Sequence, residues 1–199
     1  DPALVGEEWR VMWLERLERL PMFLERWMRH QTRDDYWRHG SVREDYGAVR
    51  CPVYAVGGWT DGYTNAVPRL LERLEVPRKG LIGPWAHGYP HLAMPGPQIG
   101  FLQEMLRWWD HWLKGDATGI MDEPMLRAWM TDSVMPASRH DVLPGRWIAV
   151  ASWPPPGAKP LRLFLTDDGL SEQTGTLTPR AVCSPLTVGK HGGEWCPFG

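Results

Sequence analysis

Two short apolar runs with an amphipathic segment between them constrain this chain more than any other feature. Pro52–Val56 is β-branched and closes on Gly57-Gly58, and Lys79–Ile82 closes on Gly83-Pro84. Each has the length and the punctuation of a buried strand. The spacing between them predicts a helix over Asn65–Leu74, with Thr64 or Asn65 as its cap and Pro68 tolerated in the first turn. Strand, helix, strand in that order is a right-handed crossover, so the two strands run parallel and lie near each other. An α/β fold follows. The loops at the carboxyl ends of both strands then open on one sheet edge, where sites in such folds are built.

The first of those loops, in VYAVGGWTDGYTN, carries Asp61; the second, in GPWAHGYP, carries His87. Neighbouring strands about 4.8 Å apart let two such side chains meet. An Asp that holds one imidazole nitrogen leaves the other to take a proton from a Ser or Cys. Each residue alone also has a plainer reading, Asp61 as a turn or capping residue and His87 as a structural or exposed histidine. Metal ligation by His87 and His91 is disfavoured, because Gly88 and Pro90 break the helix such a spacing needs.

Upstream, Glu7–Leu20 and Met22–His30 read as helices, with Trp9, Trp13, Leu14, Leu17 and Leu20, then Phe23, Leu24, Trp27 and Met28, facing inward. QTRDDYWRHG reads as a loop with a helical turn. Downstream, Gln98–Lys114 has the clearest helical period, with one row of Phe101, Met105, Trp108 and Trp112 and another of Leu102, Leu106, Trp109 and Leu113. Core packing is the expectation for Trp108, Trp109 and Trp112. From Pro124 onward the helical period is gone. EPMLRAWMT, GRWIAVASW and KPLRLFLT are strand-like runs between Pro, Gly and Asp clusters, the spacing of an all-β sandwich or jelly roll. GDATGIMDE marks the switch.

Composition removes several classes of function. Hydrophobic residues at 43% and charged residues at 23% are ordinary for a globular chain. A net charge of −2 without a basic run gives nothing to bind nucleic acid. No apolar run approaches the roughly 18 residues of a membrane span. Cys51, Cys183 and Cys196 are too few and too scattered for a disulfide framework or a zinc site, which favours a reducing, cytoplasmic compartment. Cys51, beside Pro52 at the entry to a strand, reads as an inert core thiol. DPALVGEEWR has no leader pattern, and HGGEWCPFG stops without a terminal element, so the chain reads as an internal piece of a longer polypeptide. Trp59 and Trp85 flank Asp61 and His87, either as walls of an apolar substrate pocket or as packing for the sheet edge. Trp129, Trp147 and Trp153 offer surfaces on which a sugar could stack, with core packing as the plainer reading.

VGGWTDGYTN and GLIGPWAHG resemble the acid and histidine motifs of the CocE/NonD hydrolases, the cocaine-esterase-like group related to Xaa-Pro dipeptidyl-peptidases. RHQTRDDYWRHGSV is similar to the end of that family's helical cap, FLQEMLRWWDHWLKG to the helix closing its α/β-hydrolase domain, and PGRWIAVASWPPP and LRLFLTDDGLS to its carboxyl-terminal jelly roll. The resemblance implies residues 1–48 as the end of a helical cap, 49–116 as the carboxyl-terminal part of an α/β-hydrolase domain, and 117–199 as an incomplete β jelly-roll domain. It also implies Asp61 as triad acid and His87 as base, with no metal or organic cofactor.

The chain departs from the family in its nucleophile. The G-x-S-x-x-G elbow is absent: Ser171 in GLSEQTG has a Gly two before it but no Gly at the position the elbow wants after it, and Ser41, Ser133, Ser138, Ser152 and Ser184 have no such setting. The oxyanion donors, the amide after that Ser and a Tyr hydroxyl from an early loop, belong upstream with it. The implied function is a serine hydrolase of small-molecule esters, amides or peptides, of which this chain carries the acid and the base. The alternative is a non-catalytic module in which the jelly roll binds carbohydrate or protein. With upstream strands absent, one side of the sheet would be open to a partner, a second copy of the chain included.

Overall fold

The computed structural model describes residues 2–135, 137, 139–175, 177–179 and 181–189. Ser138 and Cys196 lie outside the described residues. Contacts divide the chain into two compact units, Asp1–Ala48 and Val49–Gly199.

The first unit is helical, with α1 over Trp9–Arg19, α2 over Phe23–Arg29 and α3 over Asp35–His39. Asp34 caps α3, its Oδ1 accepting from the Tyr36 amide at 3.1 Å. The elements agree with the sequence pattern, but the expected inward faces do not. None of these helices has a buried residue, and Trp13, Leu14, Leu17, Leu24 and Met28 are all exposed. A unit this short has too little volume to enclose side chains of that size.

The second unit is built on a sheet of four strands in the order β1-β2-β3-β4: Val53–Gly58, Arg78–Gly83, Leu126–Thr131 and Gly145–Val150. β1 and β2 are parallel, as are β2 and β3, whereas β4 runs antiparallel to β3. Helix α4, Ala66–Arg73, makes the crossover from β1 to β2. Successive side chains alternate between faces. Ala55, Ile82, Leu126 and Ala128 meet Val67 and Leu71 of α4 on one face. Tyr54, Val56 and Leu81 meet Trp85, Ala93 and Ile99 on the other. The sequence places a boundary near residues 115–123, yet the sheet continues across it, because Leu126 and Ala128 add their apolar side to the face that α4 covers. A separate pair of short antiparallel strands, β5 and β6, spans Phe164–Thr166 and Gly169–Ser171.

Helix α5, Phe101–Trp109, runs on into a π-helical turn over Asp110–Lys114. Its buried positions are Glu104 and Trp108, while Leu102, Leu106, Trp109 and Leu113 are exposed, so only part of the expected tryptophan packing is found. Cys51 is exposed as well, because β1 begins two residues later at Val53 and the thiol lies outside the sheet.

Glu104 faces inward because it has partners there. It accepts from the Tyr54 hydroxyl at 2.6 Å, pairs with Arg107 at 3.1 Å, and is bonded to Arg127. Lys79 is buried at the start of β2, donating to the Ile120 carbonyl at 2.6 Å and facing Glu123 at 3.3 Å. Arg107 reaches Glu123 at 2.5 Å. Burial drives the Tyr54 hydroxyl far above its ordinary range, helped by the Glu104 carboxylate, so it remains a donor. Burial pushes the Lys79 ammonium down in spite of Glu123.

For Glu123, burial alone would raise the carboxyl, but Arg107, Lys79 and Arg127 outweigh it and hold the group below its ordinary 4.5. A carboxyl whose folded value lies below its unfolded one stabilises fully above the unfolded value and loses that contribution as pH falls through the folded one. Stability is therefore expected to decline with acid below about pH 4.5. Melting curves from neutral to acid pH check this: Glu123→Gln should give a flatter acid slope, and an unchanged slope would remove Glu123 from the cause.

Candidate active site

β1 ends on Gly58 and β2 on Gly83, and past both ends the two chains stay fastened to each other. The Trp59 amide donates to the Gly83 carbonyl at 2.9 Å, and the Thr60 amide to the Trp85 carbonyl at 3.2 Å. The Thr60 hydroxyl donates to the Pro84 carbonyl at 3.1 Å. Glycine at 58 is what permits this approach, since a Cβ there would lie 1.8 Å from the Trp85 carbonyl oxygen. These backbone bonds carry the parallel register two residues beyond the sheet. They deliver Asp61 and His87 to the same edge.

Asp61 uses both of its carboxylate oxygens. Its Oδ1 accepts from the Tyr63 amide at 2.8 Å, closing an Asx turn that leads into α4. Its Oδ2 lies 3.0 Å from His87 Nδ1. A carboxylate only accepts, so Nδ1 carries the proton and Nε2 is the basic nitrogen. Burial divides the pair usefully: the Asp61 side chain is 12% exposed and that of His87 is 53% exposed. The carboxylate is sheltered while the imidazole is presented. The Tyr63 and His87 rings make a T-shaped contact, with centroids 5.7 Å apart and planes at 61°.

His87 opens into a cleft of about 520 Å³. Thr60, Ala86, Gly88, Tyr89, Leu92, Ala93, Met94 and Pro95 line it with the histidine, together with Ala137, Arg139, His140 and Leu143. The later segment is tied to the earlier one by backbone bonds, Gly96 N to Asp141 O at 2.7 Å and Leu143 N to Gly96 O at 3.0 Å. Among the described residues that line the cleft none is a serine. His91 stacks on Phe101, with centroids 6.0 Å apart and planes at 11°. Among the described residues no three His, Cys, Asp or Glu side chains converge as metal ligands. No helix among them is long and apolar enough to cross a membrane.

The pair of tryptophans expected as pocket walls behaves otherwise. Trp85 is buried, with its indole N–H donating to the Pro97 carbonyl at 2.9 Å, and a Cβ at Gly83 would lie 2.4 Å from its ring. It fills the space that Gly83 leaves open under the sheet edge, so it is core rather than pocket. Trp59 is partly exposed, and its indole N–H donates to the Trp129 carbonyl at 2.6 Å, tying the acid loop to β3; it does not line the cleft. Trp129 in turn donates to the Leu143 carbonyl at 3.2 Å and packs edge-on against Trp147, 5.3 Å between centroids. Both rings are thereby engaged within the sheet. The cleft walls and Tyr63 were not distinguishable in the sequence. Their only signal was position, Tyr63 two residues after the acid and Leu92–Pro95 shortly after the base.

Comparison with known proteins shows what the chain is similar to. The family model of the X-Pro dipeptidyl-peptidases (S15 family) matches residues 3–89. A protein of Mycobacterium bovis named as a serine esterase is 32% identical over 129 residues, covering 61% of this chain and 18% of that protein. A protein of Bacillus cereus named as an Xaa-Pro dipeptidyl-peptidase is 27% identical over 145 residues, covering 69% of this chain and 22% of that one. The chain thus spans about a fifth of the length of these curated relatives. A crystal structure of a CocE/NonD family hydrolase from Staphylococcus aureus shares the fold, with a TM-score of 0.53 at 13% identity over 74% of this chain and 25% of that one. Family model, relatives and fold converge on one likeness: the chain is similar to the CocE/NonD hydrolases and the X-Pro dipeptidyl-peptidases.

Proposed function

We propose that this chain supplies the acid and base of a serine hydrolase acting on acyl esters, amides or peptides. A serine from another part of the polypeptide serves as nucleophile. One observation carries the reading: a sheltered Asp61 carboxylate 3.0 Å from His87 Nδ1, at the mouth of a cleft. In this scheme the serine hydroxyl attacks the substrate carbonyl as His87 Nε2 takes its proton. Asp61 keeps the imidazole in the required tautomer and stabilises the imidazolium that forms. The imidazolium then protonates the leaving alcohol or amine. Water enters by the same route, losing a proton to Nε2, and the imidazolium returns that proton to the serine oxygen as the acyl–oxygen bond breaks and the acid leaves. Largely apolar cleft walls suit an acyl or leaving group of similar character. Residues 1–48 serve as the end of a cap and 49–116 as hydrolase domain. Residues 117–199 carry β3 and β4, which extend that domain's sheet, and lead on into a β jelly roll.

The test uses the complete polypeptide with a serine-directed fluorophosphonate and peptide mapping. Stoichiometric labelling of a serine outside these 199 residues, with loss of esterase or amidase turnover, is expected. Labelling of Ser41, Ser133, Ser138, Ser152, Ser171 or Ser184 would place the nucleophile here instead. Absence of any labelled serine, together with absence of turnover, would leave the binding-module reading in possession.

A further inference from the structure

We infer that Tyr63 is a positioning residue for the base: its ring restrains the His87 imidazole against Asp61 and stabilises the imidazolium as it forms. The inference rests on the hydrolase reading above and goes beyond it by giving the pair a third member. Three observations support it. Tyr63 is fixed at both backbone ends, its amide donating to Asp61 Oδ1 at 2.8 Å and its carbonyl accepting from the Ala66 amide at 2.9 Å. Its ring therefore projects from a rigid turn rather than from a loose loop. Second, that ring meets the imidazole edge-to-face, 5.7 Å between centroids and 61° between planes. Aromatic pairs favour this geometry, and a cation within about 6 Å of an aromatic centroid is attracted to its face. Third, Tyr63 is 68% exposed and is not among the residues lining the cleft, whereas His87 and Thr60 are. Neither core packing nor substrate contact in this cleft accounts for where the ring sits.

Such a contact is worth most when the imidazole becomes charged, because the ring quadrupole attracts the cation more than the neutral base. Its removal therefore acts on the chemical step rather than on substrate affinity. Among the described residues, the titratable groups beside His87 or lining its cleft include, besides Tyr63, Asp61 on the neighbouring loop, Tyr89 on its own loop, Arg139 and His140. None of them is altered in the test.

The experiment compares Tyr63→Phe, Tyr63→Leu and Tyr63→Ala in the complete polypeptide, with kcat and KM followed against pH. Tyr63→Phe keeps the ring and should match wild type. Tyr63→Leu keeps apolar bulk without a π face; it and Tyr63→Ala should lower kcat roughly three- to fivefold at unchanged KM. They should also move the acid limb of the kcat/KM profile down by about 0.5 pH unit. Wild-type kcat and pH profile in Tyr63→Leu would overturn the inference. So would a Tyr63→Phe variant as impaired as Tyr63→Leu, which assigns the effect to the hydroxyl, or a change in KM alone, which assigns it to substrate contact. His87→Ala serves as the control. If it is inactive while Tyr63→Leu is normal, only the role of Tyr63 falls; if it remains active, the hydrolase reading falls with it.

Discussion

Asp61→Asn in the complete polypeptide is expected to lower kcat by about 10⁴ without unfolding the protein. The size of the effect comes from the turn as much as from the chemistry. An asparagine has one acceptor and one donor end. The Tyr63 amide, 2.8 Å from Oδ1, requires the acceptor, so the new NH₂ group must face His87 Nδ1. Nδ1 then becomes an acceptor, the ring proton moves to Nε2, and the base can no longer take a proton from a nucleophile. The opposite rotamer would set the NH₂ against the Tyr63 N–H, donor against donor. His87→Ala should be at least as damaging. Turnover with an activated ester, alongside melting temperature, is the measurement. Turnover within tenfold of wild type in a folded Asp61→Asn variant would show that the pair is structural.

The second large effect is on stability. Glu104→Ala is expected to cost about 3–5 kcal/mol, because it strips a buried carboxylate from three partners at once. The Tyr54 hydroxyl loses its acceptor, and Arg127 and Arg107 lose a counter-charge that is only 9% exposed. The remaining cations, Lys79 among them, would then share Glu123 alone. Denaturant unfolding of the complete polypeptide, followed by tryptophan fluorescence, measures the loss. Tyr54→Phe with Glu104 retained should cost less, because it removes a neutral donor and leaves the ion pairs in place. A Glu104→Ala variant within about 1 kcal/mol of wild type would mean that water replaces the carboxylate and the site is less sealed than its burial implies.

What could be read from the sequence was whatever depended on chain order. Strand, helix and strand in succession fix which ends meet, so Asp61 and His87 could be brought together before any side chain was placed. The helices α1, α2, α4 and α5 follow from periodicity in the same way. Burial was less legible, because it depends on what arrives from elsewhere. Glu104 sits on the inward face of α5 only because Tyr54, fifty residues earlier, and Arg127, twenty-three residues later, bring it a donor and a cation. On the sequence it is one more charge on a helix. Trp85 stands two residues before His87 in the linear chain, but the missing side chain of Gly83 opens a space for it below the sheet edge. The later segment of the cleft lining needed the pairing of Gly96 with Val142, a contact with no local signature.

The division of labour within the Asp61 carboxylate also bears on which acid can stand there. To an imidazole, aspartate and glutamate are nearly equivalent as hydrogen-bond acceptors. The loop does not treat them as equivalent. A side chain with a single methylene closes the short ring from Oδ1 to the amide two residues on, whereas one methylene more overshoots it. A glutamate could reach the histidine only by releasing the Tyr63 amide, and with it the turn that starts α4. The choice of acid at this position is thus made by the geometry of a turn, and the imidazole inherits the result.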